Sequence, residues 1–258
     1  MIHHLNCASF RPLAGPALVA HCLLVERDQG LLLVDTGFGT DDLADPRRLG
    51  QPFRSLGRPV LDPHETAVHQ VRARGLDPAD VTDIVLTHMD LDHAGGIGDF
   101  PQATVHVHAA EYDAARRPRL TERGRYVPAQ WSHGPDVHVY SAGGDRWFGF
   151  SEVLALDDDV VLVPLAGHSR GHQAVGVRRP DGGWLFHAGD AYFSTGEKER
   201  PRRCPATLRA FQVAVAAHNK LRLANLERVQ ELHAAHGDEV TVFCAHDPSE
   251  LDALRGSA

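Results

Sequence analysis

His88, Asp90, Asp92 and His93 fall within six residues, inside the run Thr-His-Met-Asp-Leu-Asp-His-Ala-Gly-Gly from Thr87 to Gly96. Imidazole nitrogens and carboxylate oxygens are the ordinary ligands of zinc and similar ions, and a loop can aim alternate residues at two neighbouring centres. So many donors in one turn suggest a pair of metals. A solvated turn with a hydrogen-bonded histidine is the competing reading. It weakens when His168, Asp190 and His246 are added, because each of these also follows an apolar run. Two divalent ions close together generate a hydroxide nucleophile at neutral pH and polarise an electrophilic oxygen, so the chemistry implied is hydrolysis.

Histidine is abundant, 18 of 258 residues, and most of it needs another explanation. His64-Glu65-Thr66-Ala67-Val68-His69 looks like a zinc-protease motif, but its histidines are five apart, about 140° around a helix, and are expected not to share an ion. His106 and His108 lie on one face of an apparent strand, and a half-exposed strand explains them. His172 and His187 are read as packing or orienting residues. Asp35, at the start of Asp-Thr-Gly, either orients a metal-binding histidine or caps its own turn.

The elements that must position these groups can be read from the apolar patterning. Residues 17–25 and 30–34 flank a polar Glu-Arg-Asp-Gln tract, as two paired strands and their turn would. Residues 64–74 look helical and stop at Gly75. Strands are expected at 81–86, 103–108 and 160–165, with a helix starting near Ala109. A hairpin is expected over 173–179 and 184–188, a helical stretch broken once over 205–236, and a last strand over 240–244. Between Arg117 and Phe150 the chain reads as a long irregular segment rich in Pro, Gly and aromatic residues. No repeat or linker-like tract divides the chain, so one domain over 1–258 is expected. Four strands thus end in clusters of His and Asp, where a rigid scaffold can aim side chains at one point.

Composition excludes several alternatives. Lys and Arg number 26 against 34 Asp and Glu, a net charge of −8, so no basic face favours nucleic acid. The clusters Arg116, Arg117, Arg119 and Arg200, Arg202, Arg203 read as solvated loops. The four cysteines have no C-x-x-C spacing and are expected to be idle thiols. The N-terminus lacks the basic start and apolar run of a signal peptide, and no 18-residue apolar stretch is present, so a cytoplasmic protein without membrane partners is expected.

The same residues carry a resemblance. Thr87–Gly96 resembles the H-x-H-x-D-H signature of the metallo-β-lactamase superfamily, and Asp35-Thr36-Gly37, Gly-His-Ser-Arg-Gly-His (167–172), Ala-Gly-Asp (188–190) and Ala-His-Asp (245–247) resemble its remaining motifs in order. The resemblance covers roughly residues 17–247 and implies an α/β fold, the αβ/βα four-layer sandwich, with a dinuclear site at one edge. Carried over by position, it implies that His88, Asp90 and His168 hold one metal, that Asp92, His93 and His246 hold the other, and that Asp190 bridges them. This chain departs from the signature at Asp90, where the family has a second histidine: either the aspartate ligates there, or it binds poorly and the first site is weak or empty. Two divalent ions are therefore expected, zinc by default, with Fe or Mn as alternatives because the set carries three carboxylates.

The resemblance further implies a metal-dependent hydrolase in which a metal-bridging hydroxide opens a lactone or cleaves a carboxylic ester of a small-molecule substrate. The Asp190-Ala191-Tyr192 stretch and the Phe243–Asp247 ending look most similar to the N-acyl homoserine lactone lactonase branch. Asp92 is expected to carry a proton to the leaving oxygen, and Tyr192 to donate to the substrate carbonyl, although a lactonase tyrosine is expected three residues after the bridging aspartate rather than two. Phosphodiester, organophosphate or thioester hydrolysis by the same fold, and a metal-binding scaffold with little or no turnover, are the alternatives.

Overall fold

The computed structural model describes residues 1–141 and 143–256. Its described residues form two six-stranded sheets. The first contains β1 (Ile2–Phe10), β2 (Leu18–Arg27), β3 (Gly30–Val34), β4 (Val81–Val85), β5 (Thr104–His108) and β6 (Val137–Tyr140), in that spatial order. The second contains β7 (Asp145–Trp147), β8 (Phe150–Ala155), β9 (Val160–Pro164), β10 (Gln173–Arg178), β11 (Trp184–His187) and β12 (Val240–Phe243), again in sequence order. The helices are α1 (Thr40–Ala44), α2 (Gln51–Leu56), α3 (Ala67–Ala73), α4 (Ala109–Arg116), α5 (Ala206–Val215), α6 (Asn219–His236) and α7 (Pro248–Arg255).

The central strands are apolar without interruption because both of their faces are covered. In β3, Leu31 and Leu33 pack outward on α3 and α4 residues such as Val71 and Ala114, whereas Leu32 and Val34 face the other sheet. In β9, Val160 and Leu162 meet that same inter-sheet core, and Val161 and Val163 pack outward against Leu226, Val229 and Leu232 of α6. A side-chain period of two thus sorts one apolar run into two layers of core. The result is helix, sheet, sheet, helix: the four-layer αβ/βα sandwich anticipated above.

Strand direction brings the polar clusters together. β3 and β4 are parallel. β9 and β11 are both antiparallel to β10 and so run the same way, and β12 is parallel to β11. The C-terminal ends of these five strands deliver Asp35, His88, His168, Asp190 and His246 to one edge. Backbone bonds tie the two sheets there, from His21 N to the Ala245 carbonyl (2.8 Å) and from Gln173 N to the Thr87 carbonyl (2.9 Å).

Three expectations need correction. The 117–150 segment is not structureless: it supplies edge strands to both sheets, β6 and β7, with Ala142 outside the described residues. The helix expected over 64–74 begins only at Ala67, because extended Thr66 caps it through its side-chain oxygen. His64 therefore precedes the helix, and its Nδ1 lies 3.0 Å from His69 Nε2, so the helical angle that was to separate the two rings does not apply. Finally, His106 is buried rather than half-exposed, held by Asp83 (2.7 Å) and Tyr140 (2.8 Å), while the ring of His108 caps α4.

Candidate metal centre

Each loop that carries a donor is fixed before any ion is considered. The 87–96 turn hangs from Thr36, whose hydroxyl donates to the His93 carbonyl (2.8 Å) and accepts from Gly96 N (3.0 Å). Gly95 is required by close approach: a Cβ there would lie 2.6 Å from the Gly37 carbonyl oxygen and from Asp42 Oδ2. Gly189 turns β11 into Asp190 at φ +51°, and a Cβ on it would sit 2.5 Å from His172 Nε2. That nitrogen accepts from Asp190 N (2.8 Å), while His172 Nδ1 donates to the Leu165 carbonyl (3.0 Å). His172 thus ties the Asp190 turn to the end of β9, which is the orienting role expected of it. His187 is buried between the His21 carbonyl and Gly189 N and is a packing residue.

Two triads result. Donor atoms of His88, His168 and Asp190 lie within 4.8 Å of one another, as do those of Asp92, His93 and His246. Asp190 joins them. Its Oδ2 is 3.3 Å from His168 Nε2 and 3.7 Å from His88 Nε2, and its Oδ1 is 3.4 Å from His93 Nε2 and 3.1 Å from His246 Nε2. Asp190 is 2% exposed and Asp92 is the outermost of the six, its side chain 15% exposed.

The far side of each ring fixes which nitrogen faces inward. His246 Nδ1 donates to the Val19 carbonyl (2.7 Å), and His93 Nδ1 to Asp35 Oδ2 (2.9 Å). Asp35 also accepts from Thr87 N (2.8 Å) and Thr87 Oγ1 (2.7 Å), from a backbone at φ +58°. Of the two roles foreseen for it, Asp35 makes the bond that orients a ring, and the turn it pins is the 87–96 turn rather than its own.

The electrostatics suit a cation. Burial opposes charge on Asp190, but four surrounding histidines, His246 and His93 foremost, hold its carboxyl well below the usual carboxylate range. Burial likewise works against His93 and His246, yet Asp190 with Asp35 raises the first well above the ordinary histidine value, and Asp190 with Asp92 raises the second. Three inward atoms, His88 Nε2, His93 Nε2 and Asp190 Oδ1, are buried without a hydrogen-bond partner. Buried polar atoms are ordinarily paired, so unpaired ligand atoms converging from several strands are suited to a metal ion. The residues present fit divalent metal.

Two sequence-predicted positions differ from expectation. Asp90 reaches the edge of the first triad, with Oδ2 3.1 Å from His168 Nε2, but both its oxygens are taken by Arg125, Nε to Oδ1 at 2.6 Å and Nη2 to Oδ2 at 2.7 Å. The guanidinium, ahead of His88, holds the Asp90 carboxyl far below its ordinary value against the cost of burial. Tyr192 does not face the centre at all. Its ring lies in the core of the second sheet and its hydroxyl donates to Glu250 (3.1 Å). The next residue, Phe193, faces inward instead, its ring 4.5 Å from that of His246 and 5.9 Å from that of His168. An offset of one residue in the turn after β11 thus exchanges a phenol for a phenyl at the centre.

Three residues at the centre were missed by sequence reasoning: Arg125, Phe193 and Glu111. Glu111, in the first turn of α4, is fully buried and accepts from Met89 N (3.0 Å), Tyr126 Oη (3.2 Å), Ser169 Oγ (2.6 Å) and Gly171 N (3.0 Å). It ties the 88–93 turn to the 168–172 turn. A single Glu or Arg amid a polar segment carries no pattern that would have singled it out.

Comparison with known proteins agrees with this geometry. Residues 15–236 match the family model of the metallo-beta-lactamase superfamily. A probable metallo-hydrolase of Mycobacterium tuberculosis is 44% identical over 263 residues, covering 100% of this chain and 83% of that protein. An N-acyl homoserine lactonase of Rhizobium johnstonii is 32% identical over 232 residues, 90% of this chain and 83% of that one. Among solved structures, a B. thuringiensis AiiA mutant with N-decanoyl-L-homoserine bound at the active site has the same fold, with a TM-score of 0.75 at 20% identity over 98% of this chain and 95% of that one. No helix among the described residues is long and apolar enough to cross a membrane. The chain belongs to the metallo-β-lactamase superfamily and is a metal-dependent hydrolase.

Proposed function

We propose that this hydrolase opens a lactone or cleaves a carboxylic ester, at a centre that takes two divalent ions, zinc by default, through His88, His168 and Asp190 on one side and Asp92, His93 and His246 on the other. The observation that carries the reading is the buried Asp190 carboxylate lying between the two triads, with Oδ2 3.3 Å from His168 Nε2 and Oδ1 3.4 Å from His93 Nε2. Its support from relatives is the 32% identity to an N-acyl homoserine lactonase. Ions bound there supply an activated water nucleophile and polarise the carbonyl that it attacks.

The chain's own residues do the rest. Asp35 and the Val19 carbonyl keep Nε2 of His93 and His246 directed inward. Asp92, the most accessible carboxylate of the two triads, is placed to take up a proton and return it to the leaving oxygen. Phe193 and Phe10, their rings 4.5 and 6.1 Å from that of His246, wall the centre with apolar surface suited to an acyl group. Tyr192, turned away toward Glu250, is not placed to donate to the substrate carbonyl.

The test is a hydrolysis screen of metal-assayed protein on N-acyl homoserine lactones, aryl esters, thioesters and phosphotriesters. Lactone or ester turnover that disappears in Asp190→Ala is expected. Turnover confined to phosphoryl substrates, or metal bound without turnover on any of the four, refutes the reading.

A further inference from the structure

Arg125 has an unusual set of partners. A guanidinium has five N–H groups, and all five are used: Nε and Nη2 on Asp90, Nη1 on the carbonyls of His168 (2.9 Å) and Val215 (3.3 Å), and Nη2 again on His168 Nε2 (2.7 Å). The side chain is 11% exposed. Because a guanidinium only donates, His168 Nε2 is the acceptor in the last bond.

That nitrogen is also the inward donor of the first triad, 3.3 Å from Asp190 Oδ2. A neutral imidazole has one lone pair to give, and a divalent ion needs it at about 2.0–2.1 Å. An ion and the Arg125 N–H therefore exclude each other on His168. The buried positive charge of Arg125 also repels a second cation beside it. Asp90, whose Oδ2 lies 3.1 Å from His168 Nε2 and 3.4 Å from His88 Nε2, has both its oxygens engaged by the same guanidinium. The second triad is free of such competition: among the described residues no Arg or Lys is bonded to Asp92, His93 or His246, and His93 Nε2 is an orphan.

We propose that Arg125 makes the two metal positions unequal, guarding the first triad by occupying His168, so that Asp92, His93, His246 and Asp190 hold one ion tightly while the His88–His168–Asp190 position fills only when Arg125 releases His168. Asp90 is then the anchor of Arg125 rather than a metal ligand. The inference rests on reading these residues as a two-metal centre, and it is tested by metal binding alone, so that a failure to hydrolyse lactones leaves it standing.

Metal-stripped protein is titrated with Zn²⁺ against a chromophoric chelator to obtain the two dissociation constants. A second equivalent weaker than the first by on the order of 100-fold is expected, the upper range of effects that residues around a ligand exert on affinity. In Arg125→Met the second equivalent tightens by about 10-fold or more and the first stays within about 3-fold. In Asp90→Asn the second equivalent is unchanged or tighter. Two equivalents of equal affinity in the natural chain overturn the proposal, even if Arg125→Met does not fold. So does a weaker second equivalent in either variant, which would make Asp90 a ligand and Arg125 its positioning residue.

Discussion

Asp35→Asn tests how the centre is built, because it exchanges one carboxylate oxygen for an amide nitrogen and leaves the shape alone. Asparagine tolerates the left-handed backbone that Asp35 adopts at φ +58°, so the turn itself is not strained. The amide oxygen can still accept from Thr87 N, the 2.8 Å bond that pins the turn. The amide nitrogen then faces His93 Nδ1, where the carboxylate oxygen accepted at 2.9 Å, and two donors meet. His93 must either leave that bond unmade or move its proton to Nε2, the atom that faces the metal. Loss of a charged acceptor in a fully buried site costs roughly 2–3 kcal/mol. For a chain of this size that lowers the melting temperature by roughly 5–10 °C. Metal affinity falls by about 10- to 100-fold through the lost tautomer. Differential scanning calorimetry of metal-free protein gives the first number and chelator competition the second. A variant that melts within a degree of the natural chain and binds zinc as tightly would refute the assignment of Asp35 as the group that sets the His93 tautomer.

Tyr192→Phe removes only a hydroxyl that donates to Glu250, so kcat/KM is expected to stay within about 3-fold while stability drops by about 1–2 kcal/mol. A loss of 100-fold or more, the size of effect seen when a transition-state donor is removed, would return the hydroxyl to the reaction. The histidines beneath the centre predict an acid limit. Burial first, and His187 next, lower His4 from 6.5 to about 4, and burial likewise lowers His21 and His187. These rings are neutral in the fold and bind protons more readily when unfolded, so their contribution is complete above pH 6.5 and is lost as the pH falls toward 4. For His4 that is on the order of 2–3 kcal/mol, and metal-free protein whose melting temperature stays flat from pH 7.5 to 4.5 would contradict it.

The sequence by itself determined the layers and the donors. Apolar runs such as Leu31–Val34 and Val160–Val163 can only be strands covered on both faces, and turn residues after β3, β4, β9, β11 and β12 mark where polar groups can be presented. Spacing in the 88–93 turn suggested metal, because a short loop keeps those atoms close together, and it was His168, Asp190 and His246 after other apolar runs that weakened the reading of a solvated turn. The roles of His172 and His187 were legible for the converse reason, that imidazoles flanking a ligand turn have few alternatives to orienting or packing.

Tertiary structure alone decided which of the named groups are available. Asp90 and Arg125 are 35 residues apart, and nothing local to either shows that the guanidinium takes both carboxylate oxygens and a histidine nitrogen besides. Glu111 joins two turns 80 residues apart in the chain on the same terms. Tyr192 and Phe193 show the limit most plainly: the path of the turn after β11 decides which ring meets the histidines, and one residue of offset reverses the answer. Residue type and spacing limit what a site can contain, but partners brought together from distant segments determine what each atom is free to bind.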